Sequence, residues 1–140
     1  MSLFDKLFPN RVFRFKGPDK SFPKIDDAGH NSDFRSAKKI GRVSIGSLCF
    51  YYQDLGVKYY CSYDYIERAF MRVSECHPDD SPAYFYYRLI LVRGEKEFAN
   101  LIFNEEKDVR EILDILKERN PSLAIGYVPP ADGKRKASFR

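Results

Sequence analysis

The chain has 140 residues, of which 44% are hydrophobic and 31% charged, and it is rich in aromatic residues although it has no tryptophan. This length accommodates one domain with a real core, and no apolar run approaches the roughly 20 residues that a membrane-spanning helix needs. Three cysteines, an odd count, fit a reduced protein better than a disulfide scaffold, and no basic segment followed by an apolar one is visible at the start, so we expect no secretory leader. We therefore expect a cytoplasmic protein with reduced thiols.

The net charge of +4 is unevenly distributed along the chain. Residues 1–40 carry nine Lys or Arg against five Asp or Glu, and residues 121–140 carry four against one. Residues 41–120 carry eleven against fourteen, so the middle of the chain is slightly acidic and the two arms are basic. Because a nucleic-acid module needs its positive field on the ordered binding face, this distribution argues against a nucleic-acid partner.

Residues 1–38 are predicted to form an N-terminal arm, since short aromatic pieces alternate there with proline, glycine and other turn-forming residues. We expect a helical turn at residues 3–7, a short strand at residues 12–15, and extended chain elsewhere. Exposed phenylalanine is unfavourable, so the phenylalanines of the arm are expected to dock on the chain's own core, with a partner protein as the alternative.

Strand patterns begin at residue 39. The segment "KIGRVSIG" predicts one short strand, and "SLCFYYQ" and "VKYYCSY" flank "DLG", where Gly56 suits the positive φ of a tight hairpin turn. The segment "YIERAFMRVSE" alternates apolar and polar residues, as one further strand does. The long run "AYFYYRLILV" turns through "RGE" into "KEFANLIF" as another hairpin.

The period then changes to that of a helix, predicted at about residues 105–119. Asn104 stands where an N-cap belongs, and Pro121 stops the helix. A short strand at residues 123–127 and a basic tail at residues 129–140 are expected to follow. One apolar stripe at helical spacing marks the helix, and its members are Val109, Ile112, Leu113 and Leu116.

These elements predict an α+β, mainly β, fold class. Six to seven antiparallel strands in successive hairpins precede one C-terminal helix. A sheet with an apolar face needs a cover and a helix with an apolar stripe needs a sheet. We therefore expect a strongly bent sheet or partly open barrel, capped by the helix, in a domain spanning residues 39–128 between the arm and the tail.

Two segments resemble the pleckstrin-homology-like (PH-like) and GRAM-type domains of bacteria: "GVKYYCSYDYIERAF" and "RLILVRGEKEFANLIFNEEKDVREILDIL". The resemblance covers about residues 39–120 and implies binding of phosphoinositides, peptides or protein surfaces rather than catalysis. Lipid-binding members carry a basic cluster on the first two strands and the loop joining them. We place that loop at residues 45–47, which hold no cation, so the lipid-binding pattern is not matched.

Tyrosines and arginines supply the candidate binding surface. Nine of the ten tyrosines lie between Tyr51 and Tyr87. Because strand side chains alternate, the two members of each adjacent pair are expected to face opposite sides, one in the core and one outward. Exposed tyrosines near arginines have the composition that interfaces favour, although an ordinary solvated face is the alternative. The candidate residues are Tyr52, Tyr60, Arg68, Arg72 and Arg88.

Catalytic and metal-binding patterns are absent from the sequence. Cys76 and His77 are adjacent on a loop, where a nucleophile and its base seldom point at one another. The cysteines and histidines lack the spacing of zinc ligands. We therefore expect no enzyme activity, no cofactor and no metal.

The sequence thus favours a noncatalytic PH-like binding domain for a protein or peptide, with self-association included. The alternative is a peripheral membrane module that binds anionic lipids through its basic arms.

Overall fold

The computed structural model describes residues 13–17 and 25–126. The chain divides between Cys61 and Ser62 into two compact units. The eight strands described are β1 Lys38–Ile40, β2 Val43–Ile45, β3 Phe50–Asp54, β4 Val57–Cys61, β5 Arg68–Cys76, β6 Tyr84–Arg93, β7 Lys96–Phe103 and β8 Ala124–Ile125. The two α-helices in these ranges are α1 Asp27–Ser36 and α2 Glu106–Arg119. The α+β, mainly β, class is confirmed.

The N-terminal unit contains an antiparallel meander in which β1, β2, β3 and β4 follow one another across the sheet. Leu55 and Gly56 have φ angles of 51° and 79°, which is the left-handed pair that a two-residue hairpin turn requires. The hairpin predicted around "DLG" is thus confirmed. The segment "KIGRVSIG" forms two strands rather than one, because the chain reverses at Gly41, whose φ is 59°.

Helix α1 lies inside the segment predicted to be extended. Its first turn is capped by Asp26, whose carboxylate accepts a hydrogen bond of 2.7 Å from the Gly29 N–H. The helix sequence, "DAGHNSDFRS", is polar and has only a weak apolar face, so periodicity does not reveal it. Its stability must therefore come from contacts made outside the helix.

The principal such contact is the buried carboxylate of Asp33. Its oxygens accept hydrogen bonds of 2.7 to 3.1 Å from the backbone N–H groups of Ser47, Leu48 and Cys49. The Tyr51 hydroxyl donates a further one, at 3.0 Å. A Cβ at Gly46 would lie 2.2 Å from Asp33 Oδ2, so this close approach requires glycine.

Arm residues 13–17 dock on the same unit. The Phe13 N–H donates to Asn31 Oδ1 at 2.7 Å, and Asn31 Nδ2 donates back to the Phe13 carbonyl at 2.9 Å. The Lys16 N–H donates to the Lys58 carbonyl, and the Tyr60 N–H donates to the Lys16 carbonyl, both at 2.9 Å. Residues 13–15, the described part of the strand predicted at residues 12–15, form no strand, and Lys16 makes an isolated bridge to Tyr59. The turn predicted at residues 3–7 lies outside the described residues.

The C-terminal unit contains a second four-stranded sheet with the order β7-β6-β5-β8. Strands β5, β6 and β7 are antiparallel, and β8 runs parallel to β5 at Arg68 and Ala69. Helix α2 contacts all four strands, and its predicted apolar stripe is buried. The sheet residues that share one face and are at most 2% exposed are Ala69, Met71, Leu89, Leu91 and Leu101.

Two further differences from the sequence-based expectations concern the number of strands and the residue at which helix α2 begins. The described strands number eight rather than six to seven, and they form two sheets, neither of which is closed. Helix α2 begins after Glu105, which makes no side-chain cap, rather than after Asn104. Strand β8 falls within the strand predicted at residues 123–127, whereas the tail at residues 129–140 lies outside the described residues.

The substitution Asp33→Asn is expected to lower the free energy of unfolding by about 2–4 kcal/mol, because an amide group would turn a donor toward backbone donors in a buried site. Urea denaturation followed by tyrosine fluorescence measures this change. Asp114→Asn, on the exposed face of α2, is the matched control. Equal effects of the two substitutions would contradict the role given to the Asp33 carboxylate.

Candidate functional site

The five candidate binding residues fall on different units. Tyr52 and Tyr60 lie on β3 and β4 of the N-terminal unit, and Arg68, Arg72 and Arg88 lie on β5 and β6 of the C-terminal unit. We therefore consider the tyrosines and the arginines as separate sets.

Tyr52 and Tyr60 lie on opposite faces of their sheet. The strand register pairs Tyr52 with Tyr59 and Tyr51 with Tyr60. The rings of Tyr52 and Tyr59 stack with centroids 5.1 Å apart and planes within 15° of parallel. Tyr51 and Tyr52 are 1% and 6% exposed, so the expectation that one of them looks outward is wrong. Both faces of β3 are covered.

The cover over Tyr51 and Tyr60 is provided by the arm and α1. The Phe15 ring lies 5.1 Å from the Tyr51 ring, and the Phe34 ring lies 5.6 Å from it. The His30 ring lies 4.2 Å from the Tyr60 ring, and His30 Nδ1 is 3.2 Å from the Tyr51 hydroxyl. These residues make an aromatic core, so this tyrosine face is packing rather than a binding surface.

The Tyr51 phenol and the thiols of Cys49 and Cys61 are held neutral near neutral pH. Burial raises the pKa of the Tyr51 phenol, and the hydrogen bond to the Asp33 carboxylate raises it further because the phenol is the donor. Burial and the charge of Asp33 raise the pKa of the Cys49 thiol to about 11. Burial also raises the pKa of Cys61. None of these groups is prepared to act as a nucleophile or base near neutral pH.

The arginines of the C-terminal unit share one face of the sheet. Arg72 and Arg88 are directly opposite each other across β5 and β6. Arg72 donates to Glu97 at 2.8 Å, and Arg88 donates to Asn100 at 3.0 Å. Arg68 lies four residues from Arg72 on the same strand, which corresponds to about 13 Å. The structure thus brings Arg72 and Arg88 together and leaves Arg68 at a distance.

Beyond these arginines, β5 and β6 extend past the rest of their sheet. The pairing of β7 with β6 ends at Phe103 and Tyr87, and β8 reaches only the start of β5. Among the described residues, 74–76 and 84–86 pair only with each other. We call this two-stranded end of the sheet the β5–β6 ribbon.

Aromatic side chains on both faces of the ribbon are exposed. Tyr84 is 53% exposed and lies opposite Cys76, whereas Phe85 is 51% exposed and lies opposite Glu75 on the other face. The Tyr86 ring lies 6.4 Å from the Tyr84 ring, and the Arg88 guanidinium lies 5.2 Å from the centroid of Tyr86. The resulting surface combines exposed rings, a cation and open strand edges.

Sequence reasoning included Arg72 and Arg88 but missed Tyr84 and Phe85. The usable signal was the length of "AYFYYRLILV", which exceeds that of its partner "KEFANLIF" and therefore leaves one end without a neighbour.

Within the described ranges, no group of three or more His, Cys, Asp or Glu side chains is placed to hold a metal ion. No helix in those ranges is long and apolar enough to cross a membrane. At the end of the ribbon, His77 and Glu75 form an exposed pair at 2.7 Å.

Comparison with protein-family models, with curated proteins and with solved structures found no match.

The cysteines are expected to differ in reactivity. Cys76 is half-buried on the ribbon, whereas Cys49 and Cys61 are at most 1% exposed and have raised pKa values. Iodoacetamide in the absence of denaturant should therefore label Cys76 alone, as measured by peptide mass spectrometry. Labelling of Cys49 at a rate similar to that of Cys76 would contradict the buried core.

Stability should fall above pH 9. The Cys49 thiol has a pKa of about 11 in the folded chain, compared with 9.0 when it is exposed. As the pH rises, the unfolded chain therefore loses this proton before the folded chain does. The free energy of unfolding should then decrease between about pH 9 and pH 11, by roughly 2 kcal/mol for this group. Urea titrations at about pH 8 and pH 10.5 measure the decrease. Cys49→Ala should show a smaller decrease than the unsubstituted chain, and an equal one would contradict the assignment.

Proposed function

We propose that this protein is a noncatalytic, cytoplasmic binding domain with a PH-like arrangement of strands and helix, and that it recognises a protein or peptide through the β5–β6 ribbon. The single observation that supports this proposal most directly is the exposure of Tyr84 and Phe85 on opposite faces of a ribbon with open edges.

An isolated two-stranded ribbon is only marginally stable in water, and its outer backbone groups have no ladder partners. Open edges of this kind pair readily with an added strand from another molecule. An incoming peptide would gain backbone hydrogen bonds along one edge and would bury one of the two exposed rings. The ribbon is thus suited to strand addition.

The side chains beside the ribbon are also suited to an interface. Tyrosine and arginine are the residues most enriched at the energetic centres of protein interfaces. Arg72 and Arg88 stand opposite each other, and two like charges in that position repel. Glu97 already offsets the charge of Arg72, whereas Arg88 donates to the neutral Asn100 amide, so we expect an acidic residue of the bound segment to lie at Arg88.

The order of elements supports the PH-like part of the proposal. Seven strands, in two antiparallel meanders of four and three, precede helix α2. Helix α1 and strand β8 lie outside the region of resemblance and are additions to that order.

The alternative, binding of anionic lipids by the basic arms, depends largely on residues outside the described ranges. The loop that joins the first two strands consists of Gly41 and Arg42 rather than residues 45–47, so it does carry one cation. Self-association through the ribbon is a special case of the main proposal.

A peptide-display selection against the full chain tests the proposal. Enriched peptides should bind the unsubstituted protein, and binding to the double variant Tyr84→Ser, Phe85→Ser should be weaker by about tenfold or more, because each ring is a central contact. Isothermal titration calorimetry with a synthetic copy of an enriched peptide provides the measurement. A concentration series by analytical ultracentrifugation shows in parallel whether the chain associates with itself through the same rings.

Leu48→Ser is the matched control, since Leu48 is 54% exposed and lies on the other unit. The variant should bind the peptide as the unsubstituted chain does. Two results would contradict the proposal. The first is equal binding of the peptide by the double variant and the unsubstituted chain. The second is that no peptide is enriched and the chain is a monomer at every concentration measured.

A further inference from the structure

Three adjoining recesses lie on the N-terminal unit, around the docked arm and the turn between β3 and β4. Their volumes are about 500, 400 and 120 Å³. The largest and the smallest share Phe15 and Lys58 in their walls. The recess of about 400 Å³ shares Gly56 with the largest recess and Arg42 with the smallest. We call the three together the arm groove.

The arm groove is lined by positive charge. Among the described residues, no acidic side chain lines any of its three recesses. Because these cations line adjoining recesses, their potentials add and attract anions. The cations that line the groove are Arg14, Lys16, Lys39, Arg42 and Lys58.

Aromatic rings lie against two of these cations. Lys58 Nζ lies 4.8 Å from the centroid of Phe13, and Lys39 Nζ lies 4.2 Å from that of Phe34. Phe15 contributes to the walls of two recesses. The walls of the groove therefore combine cations with aromatic rings.

The docked arm completes the groove, because it supplies Arg14 and Lys16. Its position is fixed by the paired hydrogen bonds of Phe13 with Asn31 and by the backbone bonds of Lys16 to β4. Gly17 passes so close to Tyr60 that an added Cβ would lie 2.6 Å from the hydroxyl oxygen. Docking places Arg14 and Lys16 in the wall of the same recess as Lys58, so the arm adds its positive charge to the groove.

We propose that the arm groove binds an acidic peptide segment and that this binding stabilises the docked arm. A peptide fits better than a compact phosphate group, because the cations are spread over three recesses whose walls include aromatic rings, instead of converging on one point. If the ligand binds only when the arm is docked, ligand binding and arm docking are coupled. The free energy by which docking strengthens ligand binding then equals the free energy by which the ligand stabilises the docked arm.

A fluorescein-labelled peptide of alternating glutamate and leucine, measured by fluorescence anisotropy on the full chain, provides the first test. The double variant Arg14→Ala, Lys16→Ala should raise the Kd about fivefold or more, since each lost contact is a partly solvated ion pair. Added salt should weaken the binding of the unsubstituted chain. Lys96→Ala combined with Lys107→Ala, which removes two exposed lysines from the C-terminal unit, is the matched control and should leave the Kd unchanged.

Gly17→Ala provides the second test, because it disturbs docking without changing any charge. It should raise the Kd for the same peptide and accelerate cleavage by trypsin after Arg14 and Lys16. The acidic peptide should slow this cleavage in the unsubstituted chain. Circular dichroism checks that the strands and helices remain folded.

Three results would overturn the proposal. The first is an unchanged Kd in the arm variants or an equal loss in the control. The second is cleavage of the arm at the same rate with and without peptide. The third is preferential binding of vesicles of phosphatidylserine and phosphatidylcholine, or of a single-stranded oligonucleotide, which would assign the groove to another class of polyanion.

Discussion

The N-terminal unit depends on one buried carboxylate. Asp33 accepts hydrogen bonds from three consecutive backbone N–H groups and from the Tyr51 hydroxyl, so it satisfies a loop that would otherwise bury unpaired donors. The same bonds hold α1, a short helix with little intrinsic stability, against the sheet. That helix carries Asn31, which fixes the arm, and Phe34, which packs on Tyr51. The part of the arm groove that the arm lines depends on this chain of contacts.

The C-terminal unit is stabilised in a more usual way, by an amphipathic helix that covers the apolar face of a sheet. Its candidate binding surface arises because β5 and β6 extend beyond the strands beside them. Strands β5 and β6 have nine and ten residues, whereas their neighbours stop earlier along the sheet. The excess residues form a ribbon whose rings cannot all be buried by the unit itself. Tyr84 and Phe85 are exposed for this reason, and the protein's proposed partner contact follows from it.

The two proposed surfaces differ in their physical character. The ribbon offers backbone edges and aromatic rings, and it should bind by strand addition with modest dependence on salt. The arm groove offers cations and aromatic rings, and its binding should depend strongly on ionic strength. Arg72 and Arg88 have side-chain partners at Glu97 and Asn100, whereas no acidic residue among those described lines the groove.

Local sequence was sufficient to predict the β3–β4 and β6–β7 hairpins, helix α2 and the α+β class, because periodicity and turn chemistry are local properties of the chain. The β1–β2 hairpin was not predicted, because its segment reads as a single short strand. The sequence did not reveal α1, whose polar sequence gains stability only from the loop that Asp33 contacts. The sequence also did not show which tyrosines are exposed. The alternation of strand side chains places Tyr51 and Tyr52 on opposite faces of β3, but it does not show that both faces are covered. Tertiary structure decided these points, since burial depends on what other segments bring to each face.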